Sequence, residues 1–503
     1  MRIVLLHLIP LLLALLALIW PSDRTRPRLL PLAGILHSAL TLWLLFQPPA
    51  PSPQSWLGFD PLTRAVVPAI SLPFLICSFY GVAYLRLRRE RPNRIFVASL
   101  LALLGLITLS LQSQHLGLLW VAMEGATLVT VPLLHFNGTA RAFEATWKYL
   151  LVGGTGVALS LLGSFFLGYS AAGTASGGDL TFAALVENAH GLVKPWVLAA
   201  WVVLLTGYGT KMGLAPMHTW KPDAYGEAPG LIGAILAGGL TTVAFVALLR
   251  VRQIVDAAGF AHATTVTWMA LGLFSMFVAG MFLLGTPDFK RMLAYSSVEH
   301  MGILSFGAAL GPAGVAAALF HVWNNNLAKG ALFLSAGNLR RTVTARTAPE
   351  VSGLLLLAPI SSRLLIIGMF AVTACPPFGP FFSELAIIRS AFEGGHALAT
   401  ALFLTFLLLA FLGMSRLVFA ITDGRPRLSE RHKASTALPP GGAGGRPAAP
   451  MDRQSPKGSK WPEQPGVILP PVIFLGCSLL LGLATPPALR QVWADAVTFL
   501  FGS

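Results

Sequence analysis

Long apolar stretches alternate with short polar segments along almost the whole of the 503-residue chain. A helix needs about 20 consecutive apolar residues to cross a membrane, and the chain divides into about fourteen such stretches. They cover residues 3–20, 28–47, 62–86, 95–113, 115–135, 146–170, 194–218, 229–250, 264–285, 290–310, 313–338, 359–394, 396–421 and 466–488. This pattern predicts an all-α polytopic membrane protein.

Two of the predicted spans contain residues that interrupt a helix. Lys211 ends the apolar run of the seventh span beside Gly213 and Pro216, and Glu384 follows the segment CPPFGP in the twelfth span. Backbone that unwinds at membrane depth is tolerated only where protein or a water-filled cavity satisfies the freed polar groups. Broken helices in corresponding halves of a membrane protein are typical of an ion path.

The predicted spans also indicate a repeat. The fourth to eighth spans and the ninth to thirteenth spans are two sets of five, and the broken span is the fourth member of each set. A unit with an odd number of helices enters the membrane in the opposite orientation when it is repeated, which predicts two inverted five-helix repeats, each containing a broken helix. The predicted divisions are an N-terminal three-span segment at 1–94, a first repeat at 95–250, a second repeat at 264–421, a cytoplasmic Pro/Gly-rich basic linker at 422–465, and a last span with its tail at 466–503.

Composition and charge agree with a membrane location. Hydrophobic residues make up 55% of the chain and charged residues 11%, whereas soluble proteins carry about 25% charged residues. The net charge of +15 lies mainly in alternate loops, with Arg250 and Arg252 as the main exceptions. This distribution argues against a nucleic-acid-binding face and assigns those loops to the cytoplasm. We therefore expect a multi-pass protein of the bacterial plasma (inner) membrane with both termini on the outer side.

No pattern typical of a cofactor site occurs. The three cysteines are far apart, and the chain contains no CxxC, Walker or GxGxxG motif. The nearest approach to a metal motif is His218 with Asp223 and Glu227, whose spacing matches no known ligand pattern. We expect no cofactor and no bound metal, and no redox chemistry on this chain.

Several ionisable residues lie inside the predicted spans, where each costs about 2.5–3.5 kcal/mol. Glu124 and Lys211 belong to the same predicted repeat and are expected to form a buried ion pair. Separating the pair would favour the neutral amine and release a proton. The alternative is a static ion pair that fixes the register of the helices.

The second predicted repeat carries a stripe of polar residues. His321, Asn325 and Lys329 recur at every fourth position and so lie on one helix face, where they can hold water and titrating groups. His300 lies in the middle of the preceding span. A lone buried histidine is more often a hydrogen-bonded core residue than a proton relay. In the company of Lys329, His321 and Glu384, the relay interpretation is favoured.

Other charged residues lie near predicted span ends. Lys148 is expected in the first turn of the sixth span, where it either extends to the membrane surface or serves the relay. His218, Asp223 and Glu227 would form either a proton entry or a structural cap. Arg389 would extend to the membrane surface or pair with Glu384.

Five segments of the chain carry a resemblance to a known family. They read GLLWVAMEGATL, KMGLAPMHTWKPDAYGEAP, DFKRMLAYSSVEHMGI, LFHVWNNNLAKGALFLSAGN and PPFGPFFSELAIIRSAF. They are similar to the successive signature segments of the antiporter-like membrane subunits of respiratory complex I. The variants YSSVEHMG and EATWKYLL most resemble the F-type subunit of hydrogenase-four and formate-hydrogenlyase complexes.

The resemblance implies roles for individual residues. Glu124 and Lys211 would be a coupled pair, Lys329 a central station and Glu384 the outlet. His300 and His321 would lie along the hydrated axis between them.

The chain also departs from the family pattern. Asn325 stands where a histidine is frequent, and Lys221 and Tyr225 replace other residues of the motif HTWLPDAHSEAP. The eighth span has no lysine or histidine, although some members of the family carry one there.

The expected function is that of a proton-translocating membrane subunit in a complex I-like or membrane-bound hydrogenase complex, with sodium as the alternative ion. Its partners would be other membrane subunits, through them a peripheral redox or hydrating module, and the surrounding lipid. Two alternatives stay open. One is a proton-conducting partner of a non-redox complex, for inorganic-carbon uptake or multi-subunit cation/proton antiport. The other is a structural scaffold with a closed channel.

Overall fold

The computed structural model describes residues 2–49, 55–175, 177–343, 347–425, 427–428 and 463–502, and nearly all of these are helical. The α-helices are α1 (Arg2–Ile19), α2 (Leu29–Phe46), α3 (Pro61–Val66), α4 (Pro68–Leu87), α5 (Arg94–Gln112), α6 (Leu116–Leu134), α7 (Ala140–Ala171), α8 (Phe182–Glu187), α9 (Lys194–Met212), α10 (Trp220–Glu227), α11 (Gly230–Ile235), α12 (Thr241–Val255), α13 (Ala261–Gly285), α14 (Phe289–Ala309), α15 (Gly311–Thr342), α16 (Leu354–Leu357), α17 (Pro359–Val372), α18 (Gly379–Glu393), α19 (Ala397–Thr422), α20 (Pro465–Leu483) and α21 (Pro487–Phe501).

Shorter elements connect or extend these helices. Helical turns of the 3-10 type occur at Arg26–Arg28, His135–Asn137 and Ala189–Gly191, and π-turns occur at Leu236–Leu240 and Asp256–Phe260. Two short antiparallel strands, β1 (Val351–Ser352) and β2 (Arg427–Leu428), pair with each other. The predicted linker at 422–465 lies largely outside the described residues.

Nine helical segments among the described residues are long and apolar enough to cross a membrane. They are Arg2–Ile19, Arg26–Phe46, Pro61–Leu87, Arg94–Gln112, Leu116–Asn137, Ala140–Ala171, Gly230–Gly285, Ala397–Thr422 and Pro465–Leu483. Helices α9, α14, α15 and α17–α18 are not in this set, and they carry most of the candidate site residues. The all-α polytopic prediction is confirmed, whereas the count of fourteen spans and the inverted orientation of the repeats stay predictions.

The first predicted helix break lies between α9 and α10. Helix α9 ends at Met212 because Gly213 adopts a left-handed conformation, with φ +80°. The Gly213 N–H donates to the carbonyl of Gly209 at 2.7 Å, and a loop through Pro216 leads to the start of α10 at Trp220. Lys211 is therefore held in the last turn before the break.

The second predicted break lies between α17 and α18. Helix α17 ends at Val372, and α18 begins at Gly379 after the proline-rich segment. Proline lacks an N–H donor and favours the first turn of a helix, which explains why α18 restarts at Gly379–Pro380. Glu384 lies in the second turn of α18, beyond the break.

Helix α15 occupies the centre of the second predicted repeat. It packs against α11, α14, α17, α18 and α20. From Val315 to Leu339 almost every side chain is buried, so this helix has no lipid-facing side. Its polar stripe therefore faces other helices rather than hydrocarbon.

Two details differ from the sequence expectation. Helix α7 begins at Ala140 rather than at 146, because the Thr139 side chain accepts a hydrogen bond from the Ala142 N–H at 3.1 Å. Lys148 is therefore in the third helical turn, and its predicted place in the first turn is wrong. The π-turn at Leu236–Leu240, inside the eighth predicted span, was not expected.

Arg250 and Arg252, the exceptions to the charge distribution, are both buried in the protein. Arg250 forms an ion pair with Asp60 at 2.6 Å, and Arg252 forms one with Asp256 at 2.9 Å. Both arginines are neutralised inside the fold. Their positions consequently carry little information about which side of the membrane their loop occupies.

Candidate functional site

Lys211, at the end of α9, is fully buried, and its ammonium nitrogen has no hydrogen-bond partner among the described residues. Glu124 on α6 is half-buried, with one carboxylate oxygen buried and unpartnered. The carboxylate acts electrostatically on Lys211, although the two groups form no salt bridge in the described part of the chain. The prediction of a direct ion pair is wrong for this conformation: the charges interact across a gap.

Small and aromatic residues form the space around Lys211. Its Nζ lies 5.1 Å from the centre of the Tyr149 ring on α7. A Cβ on Gly153, one turn further along α7, would lie 3.1 Å from that Nζ. Gly153 thus provides the room in which the ammonium group lies.

Lys329 on α15 has a different environment. Its Nζ donates a hydrogen bond to Ser296 Oγ on α14 at 2.5 Å. The same hydroxyl lies 3.4 Å from a carboxylate oxygen of Glu299. Both Glu299 and Glu384 act electrostatically on Lys329, so this lysine lies among two acids and a hydroxyl group.

The two predicted relay histidines are in direct contact. His300 Nδ1 and His321 Nε2 lie 2.9 Å apart, with the rings stacked at a centroid distance of 5.1 Å. His321 Nδ1 lies 2.9 Å from Ser383 Oγ on α18. This run connects α14, α15 and the helix after the second break, and it brings together three residues that are far apart in sequence.

Glu384 ends this run beside an open cavity. Both of its carboxylate oxygens are buried without a hydrogen-bond partner in the described part of the protein. The cavity has a volume of about 250 Å³. It is lined by Thr373, Ala374, Phe381, Glu384, Leu385, Ile388, Leu407, Leu408 and Phe411.

His300, His321 and Glu384 also form a group that could hold a metal ion, since one ligand atom from each lies within 4.8 Å of the others. Two imidazoles and a carboxylate are a known zinc ligand set. However, the imidazoles already share a hydrogen bond, and Lys329 acts electrostatically on both of them. A neighbouring ammonium opposes a divalent cation, so the arrangement suits protons better.

Asn325 lies on the same face of α15, between His321 and Lys329, and is buried. Its amide nitrogen is 3.4 Å from Asn326 Oδ1, and its carbonyl oxygen has no partner among the described residues. An amide offers hydrogen bonds but does not titrate.

Two of the predicted relay or entry residues, Lys148 and Asp223, belong to a network of ion pairs. Asp223 forms ion pairs with Lys148 at 2.9 Å and with Arg291, and Lys148 also pairs with Glu144 at 2.7 Å. Lys148 is half exposed, with 47% of its side chain accessible. These contacts favour a surface ion-pair network for Lys148 and Asp223.

His218 and Glu227 make different contacts from those of Asp223. The His218 ring is buried and packs 6.3 Å from the rings of Phe282 and Tyr295. The Glu227 backbone carbonyl accepts a hydrogen bond from Asn137 at 2.8 Å. Arg389, which was expected at the membrane surface or beside Glu384, pairs with Glu393 at 2.7 Å and is 78% exposed.

Sequence reasoning missed the hydroxyl groups that connect the titratable residues. Ser296 and Ser383 bridge Lys329 to Glu299 and His321 to α18. Lys221, noted only as a departure from a motif, is fully buried near this cluster. The signal was present for Ser296, which lies three residues before Glu299, one turn of the same helix.

The sequence matches a known family and resembles several known proteins. The family model described as NADH:quinone oxidoreductase/Mrp antiporter, transmembrane, matches residues 113–411. The chain is 38% identical over 304 residues to the hydrogenase-4 component F homolog of Methylacidiphilum infernorum, covering 60% of this chain and 64% of that relative. It thus spans slightly less than two thirds of that protein.

A second relative is matched over more of its length. The chain is 29% identical over 452 residues to the NADH-quinone oxidoreductase subunit N of Desulforudis audaxviator, covering 88% of this chain and 85% of that protein. A chain of the membrane-bound sulfane sulfur reductase, an archaeal respiratory membrane complex, superposes with a TM-score of 0.82 at 21% identity. The superposed residues make up 99% of this chain and 98% of the reductase chain, which shows a common fold.

Proposed function

The chain belongs to the NADH:quinone oxidoreductase/Mrp antiporter transmembrane family, and on that premise we propose that it carries protons across the membrane as an antiporter-like subunit of a larger complex. Its path would run through Glu124, Lys211, Lys329, His300, His321 and Glu384. Both relatives described above are named as components of a hydrogenase or of an NADH-quinone oxidoreductase, which supports a complex driven by a redox reaction.

The observation that carries the proposal is a run of buried polar residues in the second predicted repeat, made of two hydrogen-bonded groups. Lys329, Ser296 and Glu299 form one part, and His300, His321 and Ser383 form the other. Buried ionisable groups within a membrane are expensive, and they mark proton relays when they face the bundle interior. A proton can be held and passed within this run because each of its members is a donor, an acceptor or both.

The first repeat would act as the coupling element. A neutralised or displaced Glu124 would leave Lys211 as an unpaired ammonium in an apolar site, which favours release of its proton. A charge change in a neighbouring subunit would be sufficient to alter the Glu124–Lys211 interaction. The electron-transfer chemistry would belong to partner subunits, not to this chain.

Membership of this family also supports proposals about the partners and the location of the protein. We propose membrane subunits as direct partners, a peripheral redox module attached through them, and the bacterial inner membrane as the location, with both termini outside. A non-redox complex is the less favoured alternative. Sodium is an alternative ion that the experiment below separates from protons.

The test uses the intact complex, purified with its partner subunits and reconstituted in vesicles. A potassium diffusion potential is imposed with valinomycin, and the internal pH is followed with a trapped fluorescent dye. We expect proton flux in the native complex. In the Lys211→Ala and Glu124→Ala complexes the flux should fall by about 100-fold, the size of effect typical of a positioned proton-transfer group.

The exposed Lys194→Ala substitution at the start of α9 is the matched control, and it should leave the flux unchanged. Native vesicles without proton flux, or full flux after loss of Lys211, would contradict the proposal. Uptake of radioactive sodium in place of protons would reassign the ion.

A further inference from the structure

The eighth predicted span, which is the last helix of the first predicted repeat, offers no titratable group between Gly230 and Leu249. Between Gly230 and Leu249, its polar side chains are Thr241 and Thr242. Their hydroxyl groups donate to the helix's own carbonyls, of Ala237 at 2.8 Å and of Gly238 at 2.5 Å. A path from Lys211 to Lys329 therefore needs a group from another element.

Lys221, in the first turn of α10, is in the right place. Its side chain is fully buried and folds back over the break at the end of α9. A Cβ on Gly213 would lie 2.2 Å from Lys221 Cε and 2.8 Å from its Nζ, so a side chain there would collide with it. The Lys221 ammonium thus lies beside the residue that follows Lys211 by two positions.

On its other side, Lys221 faces the second repeat. Its Nζ donates to Ser297 Oγ on α14 at 3.3 Å. The preceding residue, Ser296, accepts a hydrogen bond from Lys329 at 2.5 Å. Lys329 also acts electrostatically on Lys221. The two ammonium groups therefore donate to the hydroxyl groups of two consecutive residues of α14.

The surroundings do not give Lys221 an evident structural role. No carboxylate forms a salt bridge with it in the described part of the chain, and its nearest aromatic rings, Trp220 and Tyr225, lie 6.0 and 5.9 Å from its Nζ. Lys290, by contrast, donates to the backbone carbonyls of Gly226 and Ala228, which anchors α14 to the end of α10. A buried ammonium without a counter-ion is destabilising, so its presence calls for a function.

We propose that Lys221 is the proton-transfer group that joins Lys211 to Lys329, in place of a titratable side chain on the eighth span. The Lys221 amine accepts a proton released by Lys211, with water as the carrier between them. The resulting ammonium passes a proton through the Ser297 and Ser296 hydroxyls to the Lys329 amine and becomes neutral again. This inference rests on the proposed proton transport.

The experiment uses the reconstituted complex and the same proton-flux assay. Lys221→Met removes the titrating group with little change of volume, and the flux should fall by about 100-fold. Lys221→Arg keeps the charge but does not release a proton, so it should be equally impaired. Lys221→His restores a titratable group and should recover flux to well above that of the methionine variant.

Lys290→Met is the matched control for loss of a buried lysine. It should lower the melting temperature of the complex but retain most of the flux per folded complex. Ser297→Ala leaves Lys221 in place and tests the link to the second repeat, so it should reduce the flux although the fold is preserved.

Normal flux in the methionine variant would overturn the inference, and so would equal flux in the arginine and histidine variants. An equal loss of flux in the Lys221 and Lys290 methionine variants would show a structural role instead. The proposed function fails separately, when Lys211→Ala has no effect. Loss of flux with Lys211→Ala but not with Lys221→Met would refute only the role of Lys221.

Discussion

The two predicted repeats each contain a buried lysine, but they surround it differently. In the first repeat, Lys211 lies without a hydrogen-bond partner near a half-buried glutamate, in a space left by Gly153. In the second, Lys329 is hydrogen-bonded to Ser296 and lies close to a pair of histidines in mutual contact. The charge is isolated in one repeat and embedded in a polar network in the other.

This difference indicates that the two lysines respond differently to a change in a nearby charge. A charge without a hydrogen-bond partner responds strongly to a change in a nearby charge, because a medium of low dielectric constant screens that change weakly. A networked charge has alternative partners and can pass a proton along them. Under the proposed function, the first predicted repeat would sense a charge change and the second would conduct protons.

The surface of α6 supports the sensing role. Val121 and Leu128, about one turn before and after Glu124, are 56% and 55% exposed. A carboxylate on a face of this kind is costly against hydrocarbon, so we expect a neighbouring subunit to cover it. The second repeat instead has its cavity at Glu384, between α18 and α19.

The largest effect on transport is expected when Lys329, at the centre of the polar network, is replaced. Lys329→Met should lower the proton flux by about 100-fold, because it removes the titrating group that donates to Ser296 and lies among Glu299, Glu384 and the two histidines. The measurement is dye-detected flux in vesicles containing the complex. Residual flux near the native value would show that the second repeat conducts without Lys329.

A smaller effect is expected when the network loses one hydroxyl group. Ser296→Ala removes a hydrogen bond to a charged group, worth about 1.5–3 kcal/mol, and should slow the flux by about tenfold or more. Ser305→Ala on the same helix, whose hydroxyl lies 4.0 Å from the sulfur of Met212, is the control. Equal flux in the two variants would mean that the lysine needs no hydroxyl partner.

In the first repeat, the sensitive feature is space rather than hydrogen bonding. Gly153→Ala would introduce a Cβ at 3.1 Å from Lys211 Nζ and should displace the ammonium, which reduces flux several-fold. Gly154→Ala is a close control, since a Cβ there meets nothing within 4 Å. Both substitutions favour the helix by up to about 1 kcal/mol, so a difference in flux reports the ammonium position.

The smallest effect on transport is expected at the buried ion pair of Asp60 and Arg250, which lies outside both networks. Asp60→Asn should leave the flux per folded complex unchanged but lower the free energy of unfolding by about 3–5 kcal/mol, because Arg250 loses its counter-ion. Thermal melting of the purified complex measures this loss. A large loss of flux with unchanged melting would place the pair in the transport path instead.

The same pair gives a prediction for pH. Burial raises the pKa of Asp60, but Arg250 and hydrogen bonds from Thr63 and Gln114 outweigh it, so the pKa is lowered overall. A carboxyl group with a lowered pKa stabilises the fold above its unfolded-state pKa of about 3.9 and loses that effect as the pH falls. The native and Asp60→Asn proteins should therefore differ most at neutral pH and converge below about pH 4.

Much of the fold was accessible from local sequence. Gly213 and the prolines before Gly379 predicted both helix breaks, since these residues disfavour continued helix wherever they occur. The apolar pattern places the start of α7 too late, because the capping residue Thr139 lies outside that pattern. The family resemblance was confirmed by the match over residues 113–411.

The candidate site was only partly predictable. Composition singled out Lys211, Lys329 and Glu384, because an ionisable residue in an apolar run is conspicuous. It could not show that Lys211 stands apart from Glu124. Nor could it show that Lys148 belongs to a surface ion-pair network, because these facts depend on distances between different helices.

Local sequence is enough to show which segments are helical, where two of them break, and which charges lie within apolar surroundings. These are local properties, set by backbone sterics and by the transfer of side chains from water. The tertiary structure decided which of those charges share a network, through contacts such as His300 to His321 and Lys221 to Ser297. Hydrogen bonds act over about 3 Å, so only the packing of distant helices can create or withhold them.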